Sequence, residues 1–207
     1  MSELDFTAMS PAEKMTDMLD HLKMVSEFMD RGMPDGFAFS SLDATYLHHC
    51  RPFSSEPYTD AEKAILLEQF SEMRFISKQK ECYATAARLA LYSGGHPEEP
   101  GPLSYADGKA NGKFYPMPHA WAVINGKAVD ITWREREEGN FRKPEKLLAR
   151  AERNLAQNAY FGVDVPLMYL RGLLVRNEVY TSVFEDYQGG QPLCKSKDVP
   201  WLEMLSA

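Results

Sequence analysis

The fold is decided by one stretch of the sequence, residues 118–133, which reads PHAWAVI, then NG, then KAVDITW. The segments on either side of Asn125-Gly126 are rich in β-branched and aromatic residues, a composition typical of strands. An Asn-Gly pair between two such segments is the strongest short-range hairpin signal, because a type I′ turn needs positive φ at both central positions. We therefore expect two antiparallel strands joined by a two-residue turn.

A two-residue turn also fixes the register of this hairpin, with Ile124 opposite Lys127. His119, Trp121 and Asp130 would then share one face. His119 and Asp130 become diagonal neighbours whose Cα atoms are roughly 7–8 Å apart, within reach of a hydrogen bond between imidazole and carboxylate. The other face is almost entirely apolar and predicts a hydrophobic partner layer; it consists of Ala120, Ala122, Ile124, Val129, Ile131 and Trp133.

Upstream of the hairpin, the alanine-rich segment 82–92 ends at Ser93-Gly94-Gly95 and predicts a central, mostly buried helix with Cys82 in its first turn. A thiol is nucleophilic only as the thiolate, which a helix N-terminus and a nearby imidazolium both favour. The sequence thus indicates Cys82 as a nucleophile, His119 as general base and then acid, and Asp130 as the group that orients the imidazole.

Other groups are weaker candidates for roles in the same site. The backbone N–H of Cys82 is the natural first oxyanion donor, and Gln79 is the candidate for the second. Trp121 would shield the ion pair from water. Asp107, at the end of a short strand expected near 103–107, could line the cleft, and Tyr160 could contact substrate.

The order of these residues resembles the papain-like superfamily and, more closely, its transglutaminase-like branch. The shared features are a Cys that opens a helix (ECYATA, 81–86), a His at a strand start (HAW, 119–121) and an Asp on the next strand (VDITW, 129–133). Together with a later YFGV (160–163), they also resemble a group of small bacterial and phage proteins. The resemblance spans roughly residues 75–165. It implies an α+β fold and thiol-dependent acyl transfer on an amide or ester, as in peptidases, amidases, deamidases and transglutaminases, without cofactor or metal.

The rest of the chain is expected to add helices around this core. A capping box at Ser10-Pro11-Ala12-Glu13 begins a methionine-rich helix, and Thr59 begins a second one at about 60–74. Further expectations are a mostly irregular segment at 32–58, a helix from Pro144, another near 166–175, a strand over 178–184 and a loosely patterned tail that Trp201 and Leu202 could dock. We expect one domain, with an N-terminal part (1–58), a papain-like core (59–185) and a tail (186–207).

Composition narrows the class of protein. The 207 residues carry a net charge of −7, which disfavours nucleic acid or an anionic membrane as partner. No segment has the roughly 18–20 apolar residues that cross a bilayer, and the acidic start of the chain is unlike a signal peptide, so we expect a cytoplasmic protein. Three cysteines give no disulfide framework. Substrates would be a protein, a peptide or a small amide or ester.

Two other functions stay open. A non-enzymatic binding module could reuse this fold, with the methionines of the first helix (Met15, Met18 and Met29) and the Pro/Gly-rich loop serving a protein partner. A metal-dependent hydrolase comes third. His48-His49-Cys50 suggests metal ligands, but it lacks the paired spacing that structural zinc sites use, and we expect no metal there.

Overall fold

The structure, a computed structural model, describes residues 8–28, 35–73, 81–93, 101–112, 115–134 and 143–202. The helices are α1 (Pro11–Phe28), α2 (Leu42–His49), α3 (Asp60–Glu72), α4 (Cys82–Tyr92), α5 (Pro144–Gln157), α6 (Leu167–Asn177) and α7 (Pro192–Lys195). The strands are β1 (Arg51–Pro52), β2 (Ser104–Asn111), β3 (Met117–Ile124), β4 (Lys127–Val129) and β5 (Ala159–Val165). The expected α+β class is confirmed.

The strands form one antiparallel sheet in the order β1-β5-β2-β3-β4. Just after β1, Ser54 forms a parallel bridge to Lys127 of the opposite edge strand, and its N–H donates to the carbonyl of Gly126 at 3.0 Å. The two edges of the sheet therefore approach each other, and the sheet curls.

The hairpin follows the expected register, with Ile124 opposite Lys127. Asn125 and Gly126 have φ values of 49° and 76°, the positive angles that a type I′ turn requires. Glu62 of α3 secures the turn, because its carboxylate accepts hydrogen bonds from Asn125 at 3.0 Å and from Lys127 at 2.8 Å.

Two apolar clusters cover the faces of the sheet. Neighbouring residues of β5 alternate between them: Tyr160 belongs to one, and Phe161 and Val163 belong to the other. The first cluster is completed mainly by α3 and α5, and the second by α1, α2, α4 and α6. This alternation is the period-2 pattern of a strand that is buried on both sides.

The N-terminal helix begins as expected, with Ser10 and Glu13 forming a reciprocal cap. Met18 is fully buried and Met15 packs against the second cluster, so these two methionines serve the core of the protein itself. Met29 lies outside the described residues. Helix α3 also begins where expected, with a complete capping box between Thr59 and Glu62.

In the segment 32–58, of which residues 35–58 are described, Ser41 accepts the N–H of Ala44 and caps α2, and the short strand β1 follows. One expectation for the remaining segments is wrong. The expected strand at 178–184 is instead a turn: Glu178 ends α6 in the left-handed region (φ 58°), and Ser182 caps the 3-10 turn Val183–Glu185. In the tail, Trp201 is buried against Tyr169, whereas Leu202 is 52% exposed.

Candidate active site

His119 and Asp130 form a buried pair at the centre of the hairpin. The ring atom Nε2 of His119 lies 2.7 Å from Oδ2 of Asp130, and both residues are 2% exposed. The contact expected from the hairpin register is therefore present. Because Nε2 is hydrogen-bonded to Asp130, Nδ1 is the ring nitrogen that can bind a second partner.

The carboxylate of Asp130 is held by four donors. Oδ2 accepts from His119 and from the Tyr160 hydroxyl at 3.1 Å, and Oδ1 accepts from the N–H and the hydroxyl of Thr132 at 2.8 and 2.7 Å. Asn154 of α5 also donates to the Asp130 carbonyl at 2.8 Å. A buried carboxylate needs such partners, and together they fix its position beside the imidazole.

The turn around Asp130 corrects one expectation. We expected a strand through Trp133, but β4 ends at Val129. It ends there because the Asp130 side chain accepts the N–H of Thr132 and forms a local turn. Strand alternation stops there. Trp133 consequently lies on the His119 side of the hairpin, with ring centroids 4.9 Å apart, and not on the apolar face.

The electrostatics of the pair favour an imidazolium facing a carboxylate. Burial alone would lower the pKa of His119, but the charge and the hydrogen bond of Asp130, together with the nearby Cys82 side chain, outweigh it and raise this pKa from 6.5 to about 10. Burial likewise would raise the pKa of Asp130, yet His119 and Thr132 hold it below its usual value. Both groups are therefore charged near neutral pH.

Cys82 is the first residue of α4, as expected, and its side chain lies close enough to His119 to contribute to the raised pKa of the imidazole. This helix packs against β3, the strand that carries His119. Cys82 is partly exposed, whereas the two residues of the ion pair are buried. The structure thus brings the three residues together in the order sulfur, imidazole, carboxylate.

Aromatic rings enclose the buried side of this trio. Trp121 is 1% exposed; its ring stacks with that of His119 at a centroid distance of 6.3 Å and is tilted against that of Tyr160 at 5.0 Å. Phe53 is nearly perpendicular to the indole, with ring centroids 5.3 Å apart. The expected shielding position of Trp121 agrees with this packing. Tyr160 is 3% exposed, and its hydroxyl points at Asp130, so the structure makes it a positioning residue for the carboxylate.

Asp107 lies elsewhere. Strand β2 continues to Asn111, so Asp107 is a mid-strand residue opposite Ala120, on the face of the sheet away from His119. It is 0% exposed and therefore does not line an open cleft. Gln79 lies outside the described residues.

The histidines of His48-His49-Cys50 bind the C-terminal segment through hydrogen bonds. Nε2 of His48 contacts the carbonyl of Lys197 at 2.9 Å, and Nε2 of His49 contacts those of Leu193 and Ser196 at 3.0 and 3.1 Å. Among the residues that the structure describes, no group of three or more His, Cys, Asp or Glu side chains is placed to hold a metal ion. In the same part of the chain, every helix is too short or too polar to cross a membrane.

Sequence reasoning missed Thr132 and Asn154 as partners of Asp130. An available signal was Asp130-Ile131-Thr132, since an Asp often accepts the N–H two residues ahead in a local turn. No comparable local signal exists for Asn154, which comes from a helix 24 residues away in the chain.

Comparisons of the chain with protein-family models, with curated proteins and with solved structures find no match. The function is therefore inferred from the geometry of the site.

Proposed function

We propose that this protein is a thiol-dependent acyl-transfer enzyme that acts on an amide or ester through Cys82, His119 and Asp130. The observation that carries the proposal is the position of the His119 ring, which is hydrogen-bonded to Asp130 and lies near the Cys82 side chain. A sulfur beside an imidazolium favours the thiolate, the nucleophilic form. The buried carboxylate then fixes the ring and stabilises its positive charge.

The first half of the reaction forms a thioester. The Cys82 sulfur attacks the substrate carbonyl, whose π electrons move to oxygen. As the tetrahedral intermediate collapses, the bond from carbon to the leaving group breaks, and His119 gives its proton to the departing amine or alcohol. The acyl group stays on the sulfur, and His119 is neutral.

In the second half, water or an amine attacks the thioester carbonyl while His119 takes its proton. Collapse releases the acid or the new amide together with the Cys82 thiolate, and the original charge state returns. The backbone N–H of Cys82 supports both halves. It is at the first position of α4, where N–H groups have no acceptor within the helix, so it can donate to the developing oxyanion.

The α+β arrangement around these residues supports a papain-like or transglutaminase-like core. The nucleophile opens a helix packed on the sheet, the histidine is on β3, and the carboxylate directly follows the neighbouring β4. The resemblance noted in the sequence concerns the same three residues. This arrangement and the resemblance support the proposal that the protein works as a cysteine hydrolase or acyltransferase of that kind.

The test is site-resolved alkylation of the full chain with iodoacetamide, read by mass spectrometry. Cys50 and Cys194 are internal references, because burial raises the pKa of both thiols. We expect Cys82 to react fastest, and H119A to slow it at least tenfold while the two reference cysteines keep their rates. The matched control is H21A, which removes a histidine from a partly buried position on α1.

Turnover is tested separately, with p-nitrophenyl esters and anilides as probes. Wild type should show a burst of p-nitrophenol equal to one acyl group per chain, and the acyl group should be found on Cys82. The proposal would be wrong if all three cysteines are alkylated at equal rates, or if H119A does not change the alkylation rate of Cys82.

A further inference from the structure

A cavity of about 280 Å³ is lined by α2, by the segment before it, by the 3-10 turn Val183–Glu185 and by α7. Its volume exceeds the roughly 150 Å³ of an apolar cavity that takes up benzene and approaches the lower limit of about 300 Å³ for small-molecule sites. Within the described part of the chain, its lining includes none of Cys82, His119 and Asp130. The cavity is therefore separate from the candidate active site.

Four aromatic residues line this cavity, namely Phe37, Phe39, Phe184 and Tyr187. Phe184 is fully buried in the second cluster, Phe37 and Phe39 are half-buried, and Tyr187 is 70% exposed. The face of an aromatic ring carries negative charge density and attracts cations. One such contact already exists at this wall, because the ammonium group of Lys195 lies 5.4 Å from the centroid of the Phe37 ring.

The cavity also has an acidic residue whose charge is not neutralised. Glu185 is half-buried, lines the cavity and, among the residues that the structure describes, has no side-chain hydrogen bond or ion pair. The neighbouring Asp186, by contrast, accepts from Arg176 at 2.7 Å, from Asn177 at 3.0 Å and from the N–H of Gly189 at 2.8 Å. A half-buried carboxylate without such partners favours a cation beside it.

Contacts outside the cavity hold its walls in place. Asp107, which is fully buried in β2, accepts the Val183 N–H at 2.7 Å and so attaches the 3-10 turn to the sheet. The N–H of Ala38 donates to the Cys194 carbonyl at 2.9 Å, which joins the segment before α2 to α7. Phe39 also packs against both histidine rings of α2. Walls that are already fixed reduce the entropy cost of binding a ligand.

We propose that this cavity binds a small organic cation with a methylated ammonium group, held by the aromatic residues and by the charge of Glu185. A quaternary ammonium has no N–H to donate, so it needs aromatic faces and a counter-charge but no hydrogen-bond acceptors. The lining fits this requirement, because the hydroxyls of Ser41 and Thr45 already make hydrogen bonds at the start of α2. The proposal does not depend on acyl transfer, since the cavity is separate from the Cys82 site.

The experiment is an NMR titration of the full isotope-labelled chain with choline chloride at constant ionic strength. The matched ligand is 3,3-dimethylbutan-1-ol, which has the shape of choline but a carbon atom in place of the charged nitrogen. We expect choline to shift the amide signals of Glu185 and Phe39 and to bind about tenfold more tightly than the neutral alcohol.

Two variants separate the charge of the site from its aromatic rings. E185Q keeps the size of the side chain and removes its charge, so it should weaken choline binding about fivefold and leave binding of the alcohol unchanged. F39L keeps an apolar side chain and removes a ring face, so it should weaken choline binding more than binding of the alcohol. The matched controls are E56Q and F28L, which change exposed side chains outside the cavity.

K195M removes the chain's own ammonium group from the Phe37 ring and should strengthen choline binding, because that group repels a second cation. It also keeps the test open if E185Q or F39L does not fold. Equal affinities for choline and the neutral alcohol would overturn the proposal. So would choline binding that E185Q leaves unchanged, or amide shifts spread over acidic surface residues and not centred on the cavity, since these outcomes indicate general attraction to a negatively charged chain.

Discussion

The indole of Trp121 occupies the space that a side chain at Gly162 would fill. A Cβ atom built on Gly162 would lie 2.7 Å from Cη2 of Trp121 and 2.6 Å from the carbonyl oxygen of Asp107. Gly162 is in β5, separated by Gly108 of β2 from His119 of β3. Glycine in this row of the sheet thus permits the indole to pack beside the imidazole.

G162A should destabilise the protein, because the new methyl group meets backbone on one side and a buried ring on the other. Overpacking of this kind costs about 1–3 kcal/mol of unfolding free energy, measurable by urea denaturation. The matched control is G172A in α6, where a Cβ would meet only the flexible Arg176 side chain at 3.2 Å. G172A should be neutral or stabilising by up to about 1 kcal/mol, since alanine is the better helix former. Equal effects of the two variants would contradict this interpretation.

Y160F tests whether the Tyr160 hydroxyl holds the Asp130 carboxylate. The hydroxyl donates to Oδ2 at 3.1 Å in a fully buried position. Its removal should cost about 1.5–3 kcal/mol of unfolding free energy at neutral pH, the usual contribution of a hydrogen bond to a charged group. Y187F removes a hydroxyl from a tyrosine that is 70% exposed and should change stability little. If Y160F loses no more unfolding free energy than Y187F, the Tyr160 hydroxyl does not hold the Asp130 carboxylate.

The hairpin could be predicted from the sequence because the rules that determine it are local. Asn125-Gly126 fixes the turn type, the turn fixes the register, and the register places His119 beside Asp130. The start of α4 is equally local, since the alanine-rich segment begins at Cys82.

The errors arose where a non-local contact decides the outcome. Asp107 was taken as a strand end because β2 was expected to stop there, but pairing with β3 and β5 extends β2 and places Asp107 opposite Ala120. Ser182 is a local signal for a turn, since its side chain accepts the N–H of Phe184, but the N–H of Val183 is accepted by Asp107, 76 positions away, and no local pattern predicts that contact. The contact of Tyr160 with Asp130 likewise depends on how β5 pairs in the sheet.

The His119–Asp130 pair should stabilise the fold in a defined pH window. The folded pKa of His119 is raised above the unfolded value of 6.5, so its contribution is complete below about pH 6.5 and is lost as pH rises towards 10. The pKa of Asp130 is lowered, so its contribution is present above about pH 4 and is lost as pH falls further.

The unfolding free energy of wild type minus that of H119Q should therefore be largest at about pH 5 and smaller at about pH 9, as measured by urea denaturation at each pH. H48Q, which changes an exposed histidine, should give a difference that does not follow this pattern. A difference for H119Q that grows between pH 5 and 9 would contradict the assigned ion pair.

Asp107 should have the opposite pH dependence from Asp130, although both are buried aspartates. Its folded pKa of about 7 is above the unfolded value of 3.8, so between these values the folded chain keeps a proton that the unfolded chain loses. Stability should fall as pH rises from about 4 to 7, by on the order of 4 kcal/mol, because each pKa unit corresponds to about 1.4 kcal/mol. Asn at this position has no proton to lose. The unfolding free energy of wild type minus that of D107N should thus decrease over this range and stay constant above about pH 8. D164N, at an exposed position, should show no such decrease, and a wild-type advantage over D107N that increases with pH would show that the Asp107 carboxyl group is not disfavoured by its surroundings.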